Sequence, residues 1–261
     1  MTQRLAVVTG GSSGIGAATA AALAGDGWKV VIVARGSDAL LAVRDRLVAA
    51  GGDVVAEVAD ASAGEAVFEM ARRVAAAHGV PDAIVNAAGA GEWRFIEETP
   101  PDLAAQMMGA PYAAAFNVTH AFMAGMLARG SGVIVHVGSP GSLVPWPGAT
   151  AYTAARWALR GLHEALRQDL RGTGLHSCHV IFGEVTSPYF ETNAVPRTNL
   201  PNLNRWVKAV SPRQCAEVIT ATIERPRAQV AYPPVVRLLV RLGLLVPPAG
   251  RLLAAWGART H

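Results

Sequence analysis

Short, mostly apolar runs alternate along this chain with longer stretches whose apolar positions recur at helical spacing. The apolar runs at Leu5–Thr9, Lys29–Ala34, Val54–Val58, Ala83–Asn86, Gly132–Val137 and His176–Phe182 predict six strands. Between them, Gly14–Gly25, Ser37–Ala50, Gly64–Ala77, Pro101–Arg129 and Tyr152–Arg171 predict helices, the second ended by Gly51-Gly52. Strands that are apolar throughout belong in a parallel sheet covered on both faces. The regular β-then-α order predicts an α/β fold, a single Rossmann-type doubly wound parallel sheet flanked by helices on both faces, with right-handed crossovers. No repeat, low-complexity tract or linker divides residues 1–261, so one domain is expected. Ligands of such sheets bind beyond the carboxyl ends of the strands, and the motifs below fall at those ends.

Composition narrows the class. With 51% hydrophobic and 16% charged residues, the chain is neither disordered nor fibrous. A net charge of +4 is no nucleic-acid signature. The charge is uneven, because residues 205–261 hold nine Lys/Arg and two Glu. Cys178 and Cys215 match no metal-ligand spacing and suit a reducing compartment. The N-terminus runs straight into a strand pattern with no signal peptide, and no apolar run reaches the roughly 20 residues of a membrane span. A cytoplasmic protein is expected, with no bound metal.

The turn from Thr9 to Gly16 follows the first strand and opens the first helix. Gly10 permits a tight turn, Gly14 a close backbone approach to a pyrophosphate, and Gly16 close helix–strand packing. Together with Ser12, Ser13 and Ile15, these residues would present the helix N–H groups to an anion. The alternative is a glycine-rich loop with no ligand. NAD-binding folds usually carry an acid near the end of the second strand. Here that strand ends Val33-Ala34-Arg35, and the Arg35 guanidinium suits a 2′-phosphate. NADP(H) is therefore expected in preference to NAD(H), a solvated surface arginine being the alternative.

In its spaced motifs the chain resembles the short-chain dehydrogenase/reductase family over about residues 3–230. The glycine turn is Thr9–Gly16; Asp60-Ala61 follows the third strand, Asn86-Ala87-Ala88-Gly89 the fourth, and Ser139 the fifth, with Tyr152 at the family's usual interval of 13 residues. The resemblance implies cofactor contacts at Asp60, Ala61, Asn86, Ala87 and Gly89, and at Gly183, Val185 and Ser187 after the sixth strand. It also implies that Tyr152 exchanges a proton with a carbonyl or alcohol while the Ser139 hydroxyl holds the substrate oxygen. A phenol is too weak an acid for this work near neutrality unless a cation stabilises its anion. The family places a lysine four residues on, where it also holds the nicotinamide ribose; this chain has Arg156. Pro111 stands where the family has a catalytic asparagine on a water chain, and Phe182-Gly183 replaces a Pro-Gly turn.

These substitutions leave two functions open. One is an NADP(H)-dependent oxidoreductase interconverting a carbonyl and an alcohol on a hydrophobic lipid, steroid, terpenoid or acyl substrate. The other is a dinucleotide-binding regulatory or scaffold protein with little or no turnover. By analogy with the family, residues 184–210 form a substrate lid. Its Tyr189, Phe190, Leu200, Leu203, Trp206 and Val207, with Trp93, Leu143 and Trp146, would line an apolar pocket or pack beneath the lid. The apolar, basic tail at 235–261 begins with a helical run, 235–246, carrying Arg237 and Arg241 on one face. It suits a peripheral membrane contact, or packing on the core or a neighbouring subunit. The helices at 101–129 and 152–171 resemble the family's subunit interface, so a homodimer or homotetramer is expected. His136 is expected to be structural, on the strand face opposite Ser139, and His163 to point inward or to a subunit contact.

Overall fold

Seven strands build the core of the computed structural model: β1 (Leu5–Thr9), β2 (Lys29–Ala34), β3 (Asp53–Val58), β4 (Ala83–Asn86), β5 (Gly132–Gly138), β6 (Leu175–Phe182) and β7 (Gln229–Tyr232). They form one parallel sheet in the order β3-β2-β1-β4-β5-β6-β7. The helices are α1 (Gly14–Gly25), α2 (Ser37–Ala49), α3 (Gly64–His78), α4 (Pro101–Met108), α5 (Ala114–Arg129), α6 (Thr150–Asp169), α7 (Pro212–Glu224) and α8 (Pro234–Leu245). The structure describes residues 3–187, 189, 193, 207–248, 252, 255 and 256.

Alternation along each central strand feeds two cores. In β1, Ala6 and Val8 face the layer of α1, α2 and α7, while Leu5 and Val7 face α3 and α5. Small residues let α1 lie close to the sheet: Ala17, Ala20, Leu23 and Ala24 form its buried face. The chain runs outward from β1 to β3 and then returns to β4 beside β1. The resulting switch in strand order opens a crevice at the carboxyl ends.

The six predicted strands and their intervening helices are present, with boundaries within two residues. The segment 101–129 is helical but broken. Residues Gly109–Ala113 form a π-helical turn with Pro111 buried inside it. A proline costs a regular helix about 3 kcal/mol through its missing N–H and its clash with the preceding turn. The wider π turn changes the hydrogen-bond pattern at that point. The sequence pattern did not predict α7 or β7. Only four residues long, β7 has one buried position, Ala231. The start of α7 carries a complete capping box between Ser211 and Gln214.

The predicted helix at 235–246 is α8, and one of its faces packs inward. Val236 and Val240 join Leu143, Ile181, Val207 and Ala231 in a small core. Beyond α8, Leu252 and Trp256 are exposed, and the rest of the tail lies outside the described residues. Among the described residues no helix is long and apolar enough to cross a membrane.

Candidate active site

A cleft of about 1140 Å³ runs along the carboxyl ends of the strands, from the glycine turn to α8. Gly10, Ser12, Ser13, Gly14, Ile15 and Gly16 line one end. Gly10 has φ +67°, and a Cβ there would meet the Ala87 carbonyl oxygen at 2.9 Å. A Cβ on Gly16 would overlap the Gly10 carbonyl. Ser13 occupies the N-cap of α1, but its side chain makes no capping bond and the first turn holds no acid. The cradle is thus a backbone surface with uncapped N–H groups and no competing carboxylate. Thr9 fixes the neighbouring loop, its hydroxyl accepting from the N–H groups of Ala87 and Ala88, each at 3.1 Å.

Arg35, exposed at the end of β2, lines the same end of the cleft, as do Asp60 and Ala61. Asp60 accepts from the Ser62 N–H at 2.9 Å and from the Ser62 hydroxyl at 2.7 Å. Burial raises its carboxyl, but these bonds and the charge of Arg35 outweigh that effect and hold it below its ordinary value. Asn117 of α5 secures this loop, donating to the carbonyls of Ala61 and Ser62.

Asn86 stands apart from the other predicted cofactor residues. Its side chain is buried behind the cleft, where its amide donates to the Thr119 hydroxyl at 3.2 Å and meets His136 Nδ1 at 3.3 Å. A residue at the end of an all-buried strand, three residues from a glycine that lines the cleft, can face the interior instead. Ala87 and Gly89 do line the cleft, as do Gly183, Val185 and Ser187 across it. Val185 is held by a parallel bridge to Val210.

Helix α6 carries the centre of the site. Its buried face runs Tyr152, Arg156, Leu159, His163, at intervals of four, three and four residues. Tyr152 and Arg156 both line the cleft and are 5% and 7% exposed. The guanidinium carbon lies 5.1 Å from the centre of the Tyr152 ring. Arg156 Nη1 donates to the Val137 carbonyl at 3.3 Å, and a Cβ on Gly89 would come within 2.9 Å of its Nη2. The guanidinium therefore fills the space that a glycine at 89 leaves open. Ser139 sits at the mouth of β5, where its hydroxyl oxygen accepts from the Gly141 N–H at 3.3 Å. Its own O–H remains available to donate.

Tyr189 also reaches this centre, a contact the sequence reasoning missed when it placed the residue only in the lid. Its hydroxyl donates to the Gly91 carbonyl at 3.4 Å and lies close enough to Arg156 and Tyr152 to interact electrostatically with both. Burial, then the neighbouring Tyr152, pushes the Tyr189 phenol above its ordinary value. Burial works against the charge of Arg156, but the two phenols outweigh it and hold the guanidinium above its ordinary value. Asn193 ties this segment across the cleft by accepting from the Gly91 N–H at 3.0 Å.

Trp93 and Trp146 wall the substrate side, 5.0 Å apart edge to face and 5.6 and 5.9 Å from the Tyr152 ring. Val207 lines the cleft and Leu143 packs behind it; Phe190, Leu200, Leu203 and Trp206 lie outside the described residues.

His163 points inward. With His136 and His179 it forms a buried seam beneath α6, the ring centres being 6.1 and 5.5 Å apart along the row. His163 Nδ1 pairs with the Ser177 hydroxyl at 2.9 Å. A Cβ on Gly138 would overlap the His179 ring, so the glycine makes room for it. Burial, then the neighbouring His163, lowers His136 to about 3; burial lowers His163 to about 4 and His179 well below its ordinary value. Burial thus favours the neutral form of all three imidazoles. Cys178 and Cys215 are free, buried thiols, raised by burial to about 11 and about 12. No group of side chains suited to a metal ion occurs among the described residues.

Comparison with known proteins places this geometry among relatives. The model of the short chain dehydrogenase family matches residues 4–199. A short chain dehydrogenase of Pseudocercospora fijiensis is 30% identical over 238 residues, 87% of this chain and 77% of that protein. Some curated relatives are far longer: the chain covers 14% of one and 32% of another. A metagenomic short-chain oxidoreductase solved in complex with NADP is 30% identical, with a TM-score of 0.74 over 87% of this chain and 96% of that one. A short chain dehydrogenase/reductase from Burkholderia phymatum, solved in complex with NAD, is 25% identical with a TM-score of 0.85 over 95% of each chain.

Proposed function

The chain belongs to the short chain dehydrogenase family, and on that premise we propose that it is an NADP(H)-dependent oxidoreductase interconverting a carbonyl and an alcohol on a hydrophobic substrate. The observation that carries this function is the buried pair of Tyr152 and Arg156, facing one cleft that also contains the glycine cradle.

The residues present fit a nicotinamide dinucleotide. The uncapped α1 N-terminus and the glycine turn form a cradle for its pyrophosphate. Ala87, Gly89, Gly183, Val185 and Ser187 would flank the cofactor further along. Asp60 and Ala61 border the adenosine end. Arg35 there would pair with a 2′-phosphate, which favours NADP(H) over NAD(H). When bound, the reduced nicotinamide supplies a hydride to the carbonyl carbon. Tyr152 gives its phenolic proton to the carbonyl oxygen, and Arg156 stabilises the phenolate left behind. Ser139 donates to the same oxygen and steadies the charge that develops on it. Trp93, Trp146 and Val207 exclude water and select an apolar substrate of the lipid, steroid, terpenoid or acyl type.

The assembly proposed is one domain over residues 1–261 with a lid at about 184–210, paired as a homodimer or homotetramer in the cytoplasm. Phe116 and Leu127 of α5 and Trp157 of α6 are exposed apolar side chains suited to such an interface.

Pro111 favours a second function. It offers no polar side chain where a proton relay would run, and a chain without that relay could bind the dinucleotide yet turn over little. Titration with NADPH, followed by its oxidation against a panel of apolar ketones and aldehydes, tests both. Binding with turnover supports the oxidoreductase, binding alone the regulatory protein, and no binding neither.

A further inference from the structure

Helix α8 has two apolar faces, and the fold uses only one. Val236, Leu239 and Val240 face inward and line the substrate end of the cleft. On the other side, Val235, Leu238, Leu242 and Leu245 follow one another at intervals of three, four and three residues, which sets them in a single stripe. All four are exposed, Leu238 by 66% and Leu245 by 80%. Arg237 and Arg241 are exposed too and, one turn apart, run along the flank of that stripe. Leu252 and Trp256 add further exposed apolar surface close by in the chain.

Charge identifies the occupant. Residues 226–261 contain five arginines and no Asp or Glu. A second copy of α8 laid on the first would bring arginine against arginine with no carboxylate on the segment to pair them. An anionic lipid surface matches both features: the leucines enter the acyl boundary, while the arginine stems lie along it and carry their guanidinium groups to the headgroups.

We propose that the outer face of α8 docks this protein on an anionic membrane surface, which places the helix between the bilayer and the substrate cleft. An apolar carbonyl compound dissolved in the lipid would then reach the cleft past α8. This second half rests on the proposed oxidoreductase function; the docking itself does not.

Cosedimentation of the full chain with vesicles separates the two. One vesicle set is phosphatidylcholine alone, and the other also contains phosphatidylglycerol. The expected result is binding to the anionic vesicles that weakens in high salt. Arg237→Glu with Arg241→Glu should weaken it at least about twenty-fivefold, at about fivefold per arginine removed. Leu238→Glu with Leu242→Glu should abolish it. These side chains are exposed and outside the cleft, so NADPH affinity and elution volume should not change in either variant. Failure of the wild-type chain to bind anionic vesicles would overturn the proposal. So would equal binding by the variants, or a change of oligomeric state in them, which would assign the stripe to a second copy. Turnover of a water-soluble ketone by the unbound protein reports on the function independently of the docking.

Discussion

Arg156 sits one helical turn beyond Tyr152 on the buried face of α6, its guanidinium carbon 5.1 Å from the centre of the phenol ring. The guanidinium is held in place by the Val137 carbonyl and the space beside Gly89, and it lies beside the Tyr152 and Tyr189 phenols. A planar fork suits this set of partners in a way that a compact ammonium does not. A site built around arginine should lose activity when that residue becomes lysine.

Arg156→Lys should lower kcat about tenfold with little change in NADPH affinity. Lysine keeps the charge but lacks the planar fork that reaches the Val137 carbonyl and fills the space beside Gly89. Steady-state kinetics beside a binding titration checks this; a rise in kcat would mean that the arginine handicaps the enzyme.

Arg35 is predicted to set the choice of dinucleotide. Arg35→Ala should raise the NADPH dissociation constant about tenfold to a hundredfold, since a charge-assisted hydrogen bond contributes about 1.5–3 kcal/mol. NADH binding should change by no more than about twofold, because NADH has no phosphate for the guanidinium to meet. Fluorescence titration of both nucleotides with both proteins measures the contrast.

Much of the fold was legible because its strands are buried on both sides. The runs at Leu5–Thr9 and Gly132–Val137 are short, mostly apolar and rich in valine, which suits buried strands. The strand β7 was not legible, since only Ala231 of its four residues is buried and edge position relaxes the pattern. The ends of strands marked the cleft correctly, but not which way each side chain turns there. Asn86 turns inward to Thr119 and His136, while Gly89, three residues on, meets Arg156. Tyr189 and His179 were beyond reach for a different reason. Their partners lie on other elements, and no spacing in the chain encodes that Gly138 makes room for an imidazole from β6.

Tyr189 should prove to be more than a lid residue. Tyr189→Phe removes the hydroxyl that lies beside Tyr152 and Arg156 and leaves the ring in place. The expected outcome is a kcat/KM about tenfold lower, with unchanged NADPH affinity, because the loss falls on the substrate side. Equal kinetics for the two proteins would reduce Tyr189 to packing.

The histidine seam makes stability depend on acid. In the folded chain His136 and His163 take up protons only near pH 3 and 4, and His179 also well below its ordinary range. The unfolded chain protonates them near 6.5. Below about pH 6.5 the unfolded state therefore binds more protons, and stability falls as pH falls. The slope is about 1.4 kcal/mol per pH unit for each histidine until the folded values are reached. Urea denaturation between pH 7.5 and 5 should show the midpoint dropping, and His163→Asn should flatten the drop.

The central claim is that Tyr152 is the proton donor beside a bound dinucleotide. Its most direct test is NADPH oxidation by Tyr152→Phe and the wild-type chain, on whichever ketone the wild type reduces. Tyr152→Phe should lose at least about a hundredfold in kcat with the NADPH dissociation constant unchanged. A phenylalanine variant that turns over as fast as the wild type would contradict it.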